Sequence, residues 1–340
     1  WIINYIFVSF SGLPTDVKQA GDAFTSLISK DITKQLLLHT FVAITVALIV
    51  IKGIKEGIEK LNLILMPLLA AIMAMLLAYA ISLDSFGKAV EFMFVADWSK
   101  IDSNALLAAL GQAFFTLSIG VGTILTYSAS LPKDANFVRS SIMVTIVDTT
   151  IALVAGLIIF SFLFEAGAQS SSGPGLVFIS LPLIFADWGV LGQVIAVAFF
   201  IALAFAGITS AVSMIEPILL YFIERLNFTR TQATIVCTLI FYTGGVIALL
   251  SMSSSYGADF TFFGKNAFDW MDFVTSSIML PLGGILSCVL LGYAVNKTLI
   301  KTEFTQYSSE GLFNVWYFLV KYVVPLAILI LMLNKLGFIG

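Results

Sequence analysis

The sequence has little charge, two cysteines and a single histidine. Charged residues make up 11% of the 340 residues and hydrophobic residues 59%, whereas ordinary soluble domains carry about 25% charged and about 45–50% apolar residues. This composition excludes a water-soluble fold around one core and indicates a polytopic membrane protein. The net charge of −3 is small and its carriers are dispersed in short loops, so no nucleic-acid partner is indicated.

The scarcity of cysteine and histidine also limits the chemistry. Cys237 and Cys288 lie in apolar runs; two cysteines are too few for a disulfide framework and lack metal-ligand spacing, so we interpret both as packing residues. A membrane enzyme needs clustered His, Cys or paired carboxylates, and the lone His39 with the isolated Asp148 and Glu216 does not supply such a cluster. The sequence therefore argues against an enzyme. We interpret His39, close to a helix end, as structural, and Glu216, which precedes Pro217, either as a hydrogen-bond partner of freed backbone or as a transport residue.

Apolar segments long enough to cross about 30 Å of hydrocarbon recur along the chain. After a half-span at 1–12, the segments lie at 36–54, 62–83, 104–131, 142–165, 190–222, 233–252, 272–296 and 314–337. They predict an all-α fold with eight complete spanning helices and one partial one. Because the first segment is only half a span and the chain opens at Trp1, we expect the sequence to begin inside a helix.

The distribution of Lys and Arg predicts the orientation. All three arginines fall in one set of alternate loops, 55–61, 132–140, 223–230 and 297–313, which we therefore place in the cytoplasm. We expect the opposite loops and the C-terminal Gly340 to lie outside the plasma (inner) membrane. The outer segment 166–188 contains Ser-Ser-Ser-Gly-Pro-Gly, which indicates either a loop with a short capping helix that acts as a lid or an ordinary surface loop.

The most informative segment is the apolar run 111–128, whose centre is broken by small residues. Thr116, Ser118, Gly120 and Gly122 follow one another there. A spanning helix that opens its backbone in mid-membrane needs such residues, and a bound solute or water must satisfy the freed groups. The pattern predicts the binding site of a transporter.

Two further polar features lie within spans. Asp148 is surrounded by threonines but has no Lys or Arg near in sequence, so a cation is its natural partner; neutralisation by protonation or by a distant Lys is the alternative. The run 206–213 offers the hydroxyls of Thr209 and Ser210 beside Ala206. It suits a hard cation, but taken alone the run favours a small-residue packing face.

Three strings carry a resemblance to a known family: GQAFFTLSIGVGTILTYSA at 111–129, FAGITSAVSMIEP at 205–217 and GIEKLNLILMP at 57–67. In that spacing the chain resembles the bacterial members of the neurotransmitter:sodium symporter family. The resemblance runs from the end of the family's third helix through its eleventh. It implies an inverted-repeat sodium symporter fold with a broken sixth helix, its N-terminal helices missing, as a single transmembrane domain over residues 1–340.

The resemblance also implies site residues. Those for substrate are Phe115 as an aromatic lid, Thr116, Ser118, Val121, Ala211 and Met214. Those for two sodium ions are Thr116 and Asp148 at the first site, and the Ala206 carbonyl with the Thr209 and Ser210 hydroxyls at the second. Asp272 corresponds to an external gate acid, and Gly57 and Pro67 to a helix end that unwinds to admit water to the second sodium.

Asp148 occupies a position where the family usually has an Asn, and Ala152 one where chloride-dependent relatives have a Ser. A fixed carboxylate beside a cation replaces the charge of an anion, so the resemblance implies transport without chloride. We predict a sodium-coupled symporter of a zwitterionic, hydrophobic or aromatic amino acid, with sodium as coupling ion and no other cofactor. A sodium-permeable channel or a non-transporting sensor of the same fold is the alternative.

Overall fold

The computed structural model describes residues 1–98, 101–132, 135–167 and 173–338. Within these residues, seven helices are long and apolar enough to cross a membrane: Ile32–Val50, Ile54–Ile81, Phe137–Glu165, Gly189–Leu226, Arg230–Ser251, Ala267–Ala294 and Glu310–Lys335. Each matches a predicted span, most of them beginning a few residues earlier than predicted. The all-α membrane architecture is therefore confirmed.

The spans consist of the following helices, and shorter helices and one β-hairpin lie between them. The α-helices are α1 (Ile2–Ser11), α2 (Val17–Ser29), α3 (Ile32–Val50), α4 (Lys60–Ile81), α5 (Phe86–Phe94), α6 (Ser103–Thr116), α7 (Thr123–Ala129), α8 (Phe137–Glu165), α9 (Gly173–Gly175), α10 (Leu181–Asp187), α11 (Gly189–Leu226), α12 (Arg230–Ser251), α13 (Ala267–Val274), α14 (Leu280–Val289), α15 (Lys297–Thr305), α16 (Glu310–Phe318) and α17 (Val324–Lys335). Wider π-helical turns occupy Ile54–Glu59, Leu176–Ser180, Thr275–Met279, Leu290–Ala294 and Leu319–Val323, and a 3₁₀ turn occupies Gly257–Phe260. Strands β1 (Thr261–Phe262) and β2 (Lys265–Asn266) pair antiparallel.

The chain divides into two compact units, Trp1–Ala96 with Ala152–Phe268 and Asp97–Ile151 with Asp269–Gly340. The core of the first unit is rich in aromatic rings. Phe178 stacks on Phe24 at 5.2 Å between ring centroids and on Phe200 at 6.2 Å. Burying such rings contributes much of the apolar area that holds helices together.

The predicted capping helix in the outer segment is present as the apolar stretch Gly173–Asp187. Its residues Leu181 and Phe185 are fully buried in the core of the first unit. Residues 170–172 and Gly340 lie outside the described residues. The role of this helix as a lid stays a prediction, as does the expectation of one transmembrane domain.

The second unit has two apolar clusters of its own. One joins Phe114 to Leu280 and Ile328, and the other joins Phe304 to Phe313 and Tyr317. The first of these clusters fixes α6 against α14 and α17, which positions the end of the interrupted span.

The prediction of a loop at 55–61 is wrong. The turn occupies only residues 51 and 52, Gly53 with φ +92° caps the next segment, and the π-helical segment Ile54–Glu59 runs directly into α4. Four charged residues made this segment resemble a loop. In the structure they lie on a helix, where Lys60 and Glu56 form an ion pair.

Several short elements were not predicted. The helices α2, α5 and α15 and the β1–β2 hairpin fall in segments that were assigned to loops. Asp16 caps α2 by accepting a hydrogen bond from the Gln19 N–H at 2.8 Å. Such Asp caps stabilise short helices between spans, and a hydropathy analysis does not detect these helices.

Glu216 is fully buried, and its partner is a distant arginine. The Arg230 guanidinium donates to both Glu216 carboxylate oxygens at 2.9 and 2.8 Å, and its Nε donates to the Val50 carbonyl at 2.8 Å. A bidentate ion pair of this kind satisfies the hydrogen-bonding groups of both charged side chains. It joins the start of α12 to α11 and to the end of α3, so the structural interpretation of Glu216 fits this geometry.

Replacing Glu216 with Ala removes the carboxylate that balances the partly buried Arg230 guanidinium, which then keeps only the Val50 carbonyl as acceptor. Breaking a buried pair in this way costs about 3–5 kcal/mol, so we expect Glu216→Ala to lower the unfolding midpoint in detergent strongly. Glu224→Ala is the matched control, because Glu224 is exposed on the same helix. Equal midpoints for the two variants would contradict the assignment.

Candidate functional site

The span at 103–129 is interrupted at its centre. The helix α6 ends at Thr116 and α7 begins at Thr123. Between them Ser118, Gly120 and Gly122 have φ of +51°, +99° and +88°. The left-handed region is strained for most side chains but open to glycine. The glycines predicted to open the backbone are therefore the residues at which it leaves the helix.

A tight turn bridges the two half-helices. The Ser118 N–H donates to the Phe115 carbonyl at 3.0 Å, and the Ile119 N–H donates to the Phe114 carbonyl at 3.2 Å. In the described part of the chain, the carbonyls of Thr116 and Leu117 accept no backbone hydrogen bond. Carbonyl oxygens in mid-membrane without donors need a polar partner, and a cation is one that they can coordinate.

Asp148 lies directly beside this break. The Thr116 hydroxyl is 3.2 and 3.1 Å from the two Asp148 carboxylate oxygens, although 32 residues separate them in sequence. Among the described residues, no Lys, Arg or His forms an ion pair with Asp148. A carboxylate and a hydroxyl at this separation are oxygen donors that a hard cation such as sodium accepts.

Two glycines of α14 fit against the interruption. A Cβ on Gly283 would lie 2.3 Å from the Gly120 carbonyl oxygen, and one on Gly120 would lie 2.2 Å from the Leu280 carbonyl oxygen. A Cβ on Gly284 would lie 2.1 Å from Cζ of Phe114. The backbones of the two segments therefore touch, and only glycine permits this approach. The sequence analysis missed this contact; its signal was the Gly283-Gly284 pair inside an apolar span.

The other predicted substrate residues of the break differ in environment. Phe115 is exposed, and its role as a lid stays a prediction. Ser118 is half-buried. Val121 is half-buried and packs against the cluster of Phe114, Leu280 and Ile328.

The second predicted sodium site lies on one continuous helix, α11. The Thr209 hydroxyl donates to the carbonyls of Phe205 and Ala206, both at 3.0 Å. Ser210 is exposed, and no hydrogen bond of its hydroxyl is found among the described residues. The three predicted oxygen donors are thus contributed by two successive turns of one helix.

Ala211 and Met214 continue the same helix. Gly207, Ser210, Met214 and Ile218 are exposed and recur every three or four residues, so they form one stripe, and the half-buried Ala211 adjoins it. This stripe belongs to the first unit, whereas Thr116 and Asp148 belong to the second. The structure therefore brings Thr116 to Asp148 and groups the α11 residues among themselves.

The predicted gate and unwinding residues lie on three different helical segments. Asp272 is exposed in α13, just before the π-helical turn Thr275–Met279. Gly57 is buried in the π-helical segment Ile54–Glu59, where a Cβ would lie 2.1 Å from the Ile49 carbonyl oxygen. Pro67 lies inside α4 and is exposed. Both a π turn and a helical proline weaken the hydrogen-bond ladder.

Comparison with known proteins agrees with this arrangement. The family model described as "Sodium:neurotransmitter symporter family" matches residues 17–338. The chain is 33% identical over its whole length to "Uncharacterized sodium-dependent transporter YhdH" of Bacillus subtilis (strain 168), of which it covers 75%. It is 32% identical over 99% of its length to an uncharacterized sodium-dependent transporter of Haemophilus influenzae, of which it covers 74%.

A solved structure is similar as well. The crystal structure of MhsT in complex with L-phenylalanine superposes with a TM-score of 0.86 at 34% identity. The match covers 98% of the present chain and 76% of that chain. At this level of identity and coverage, the similarity supports the inverted-repeat fold with a broken helix.

The Gly284 contact generates a prediction. An added methyl group in Gly284→Ala forces the Phe114 ring to move, and overpacking of this kind costs about 1–3 kcal/mol. We expect a lowered unfolding midpoint that Phe114→Leu partly restores in the double variant, because the shorter side chain vacates the clash. Gly311→Ala is the control, since no atom lies near a Cβ there. Additive effects of the two substitutions would refute the contact.

Proposed function

The chain belongs to the sodium:neurotransmitter symporter family, and we propose that it couples inward sodium flow to uptake of a hydrophobic or aromatic amino acid. As a member of this family, the chain is a sodium-dependent membrane transporter. The observation that carries the finer proposal is the interrupted span, where Thr116 lies against Asp148. Alternating access of this site to the two sides of the membrane supplies the transport.

The character of the predicted pocket supports an apolar substrate. Phe115, Val121, Ala211 and Met214 are all apolar, and apolar walls favour a hydrophobic side chain over a polar one. MhsT, which is 34% identical, has a structure with L-phenylalanine bound. We therefore propose phenylalanine or a similar amino acid as substrate, with its carboxylate near the break.

Two sodium ions are proposed for each cycle. Thr116 and Asp148 hold the first, and the Ala206 carbonyl with the Thr209 and Ser210 hydroxyls contributes to the second. For release of the second ion we propose local unwinding between Gly57 and Pro67. The π-helical segment that contains Gly57 supports this, because its wider turns hold the backbone less firmly than an α-helix does. Asp272 serves as an acid of the outer gate.

Asp148 also removes the need for chloride in this proposal. A sodium ion and a transported zwitterion bring net positive charge into the membrane, which a fixed carboxylate balances. The position one turn later is Ala152, which has no hydroxyl to hold an anion.

Uptake of labelled phenylalanine into proteoliposomes tests the function of the full-length protein. With sodium outside and none inside, we expect saturable accumulation of phenylalanine above its external concentration. Equal sodium concentrations on both sides of the membrane should abolish this accumulation. Sodium flux without accumulation would favour a channel. Sodium-dependent binding without flux would favour a sensor, and either result would contradict symport.

Replacing chloride with gluconate tests the role of Asp148. We expect unchanged sodium-driven uptake in the wild type. In Asp148→Asn the half-saturating sodium concentration should rise at least about tenfold, equivalent to about 1.4 kcal/mol, because the cation loses its carboxylate. Asp84→Asn is the matched control, since Asp84 is exposed outside the site. A strict chloride requirement of the wild type would overturn this part of the proposal.

A further inference from the structure

Two lysines of the second unit lie among tyrosine rings, away from the site described above. The Lys321 ammonium is 4.5 Å from the centroid of the Tyr293 ring and 5.7 Å from those of Tyr317 and Tyr322. The Lys297 ammonium is 5.1 Å from the Tyr317 centroid. We call these five residues the lysine–tyrosine cluster. The ammonium groups of both lysines therefore lie close to the Tyr317 ring.

Acidic side chains do not neutralise this cluster. Within the described residues, neither Lys297 nor Lys321 forms an ion pair. The acids nearest in sequence are engaged elsewhere, since Glu310 pairs with Lys301 and Glu303 accepts a hydrogen bond from Gln306. Aromatic rings offset a cation only in part, and the two ammonium groups repel each other. The cluster therefore carries a charge of +2 that no acidic side chain among the described residues balances.

The cluster has a fixed framework. The Tyr317 hydroxyl, which is buried, donates to the Gly292 carbonyl at 2.9 Å. A Cβ on Gly292 would lie 3.2 Å from Cγ of Lys321, so the lysine stem packs closely on this glycine. The Tyr293 hydroxyl also reaches the Lys321 carbonyl at 3.4 Å. These contacts fix the tyrosine rings and the stem of Lys321.

The position of the cluster along the spans indicates that it lies near the edge of the membrane. The span Ala267–Ala294 has 28 residues and Glu310–Lys335 has 26, whereas about 20 residues suffice to cross the hydrocarbon. Lys321 contacts the last residues of the first of these spans, Gly292 and Tyr293. The exposed Tyr293 and Tyr322 rings are typical of the interface with lipid headgroups.

We propose that the lysine–tyrosine cluster binds the phosphodiester of an anionic phospholipid, with Lys297 and Lys321 on its oxygens. A single phosphodiester between the two ammonium groups relieves their repulsion and supplies the missing negative charge. The cluster adjoins the segment 297–313, which the arginine and lysine distribution places in the cytoplasm, where the leaflet is anionic. A lipid is favoured over a soluble anion because the exposed rings offer its acyl chains an apolar surface.

Native mass spectrometry of the full-length protein, titrated with phosphatidylglycerol or with phosphatidylcholine, tests the proposal. We expect preferential retention of phosphatidylglycerol. Lys297→Gln and Lys321→Gln should each weaken that retention about fivefold, the effect of one lysine near an anionic surface. Lys321→Arg should keep it. Lys60→Gln is the control, because Lys60 is an exposed lysine already paired with Glu56.

Three results would overturn the proposal. One is equal retention of both lipids by the wild type, and another is wild-type retention by the Lys297→Gln and Lys321→Gln double variant. The third is full displacement of phosphatidylglycerol by millimolar inorganic phosphate, which would indicate a site for a small anion. The unfolding midpoint of each variant is measured in parallel, and Lys297→Gln, on an exposed residue, tests the site if Lys321→Gln does not fold.

Discussion

An interrupted backbone in mid-membrane is the constraint on which the rest of this structure depends. Between Thr116 and Thr123 the chain leaves the helix, and hydrocarbon offers no partner for the polar groups thus freed. Two features of the structure lie at this break. Glycines at 283 and 284 let a second helix approach the opened backbone closely, and Asp148 lies against Thr116 where the α-helix ends. We propose that the sodium ion on which the family depends completes this set of oxygens.

Charged groups within the spans lie in three different environments. Glu216 is buried and fully paired with Arg230, which makes it part of the scaffold. Asp148 has a hydroxyl neighbour but no cationic side chain within the described residues, which leaves room for a transported ion. Lys321 lies among tyrosine rings beside the end of the span Ala267–Ala294. The cost of charge in the membrane thus distinguishes a structural pair, a proposed ion site and a proposed lipid contact.

The sequence alone was sufficient to predict the features that depend on local composition. Hydropathy located the spans, and the small residues at 116–122 located the break, because both follow from the backbone's need for hydrogen bonds. The loop at 55–61 was assigned wrongly, since charged residues on a π-helical turn have the composition of a loop. The Arg230 partner of Glu216 and the Gly284 contact with Phe114 were missed because they join residues whose proximity arises only from packing. The roles of Ala211 and Met214 rest on resemblance and stay predictions.

Sodium titration of labelled phenylalanine binding to the Thr116→Val variant tests the central claim most directly. Valine preserves the shape of threonine but removes the hydroxyl that faces Asp148. The account predicts a half-saturating sodium concentration raised at least about tenfold, or about 1.4 kcal/mol, with Thr145→Val unchanged because the Thr145 hydroxyl bonds only to the Ser141 carbonyl of its own helix. An unchanged sodium dependence in Thr116→Val would contradict the assignment of the interrupted span as the ion site.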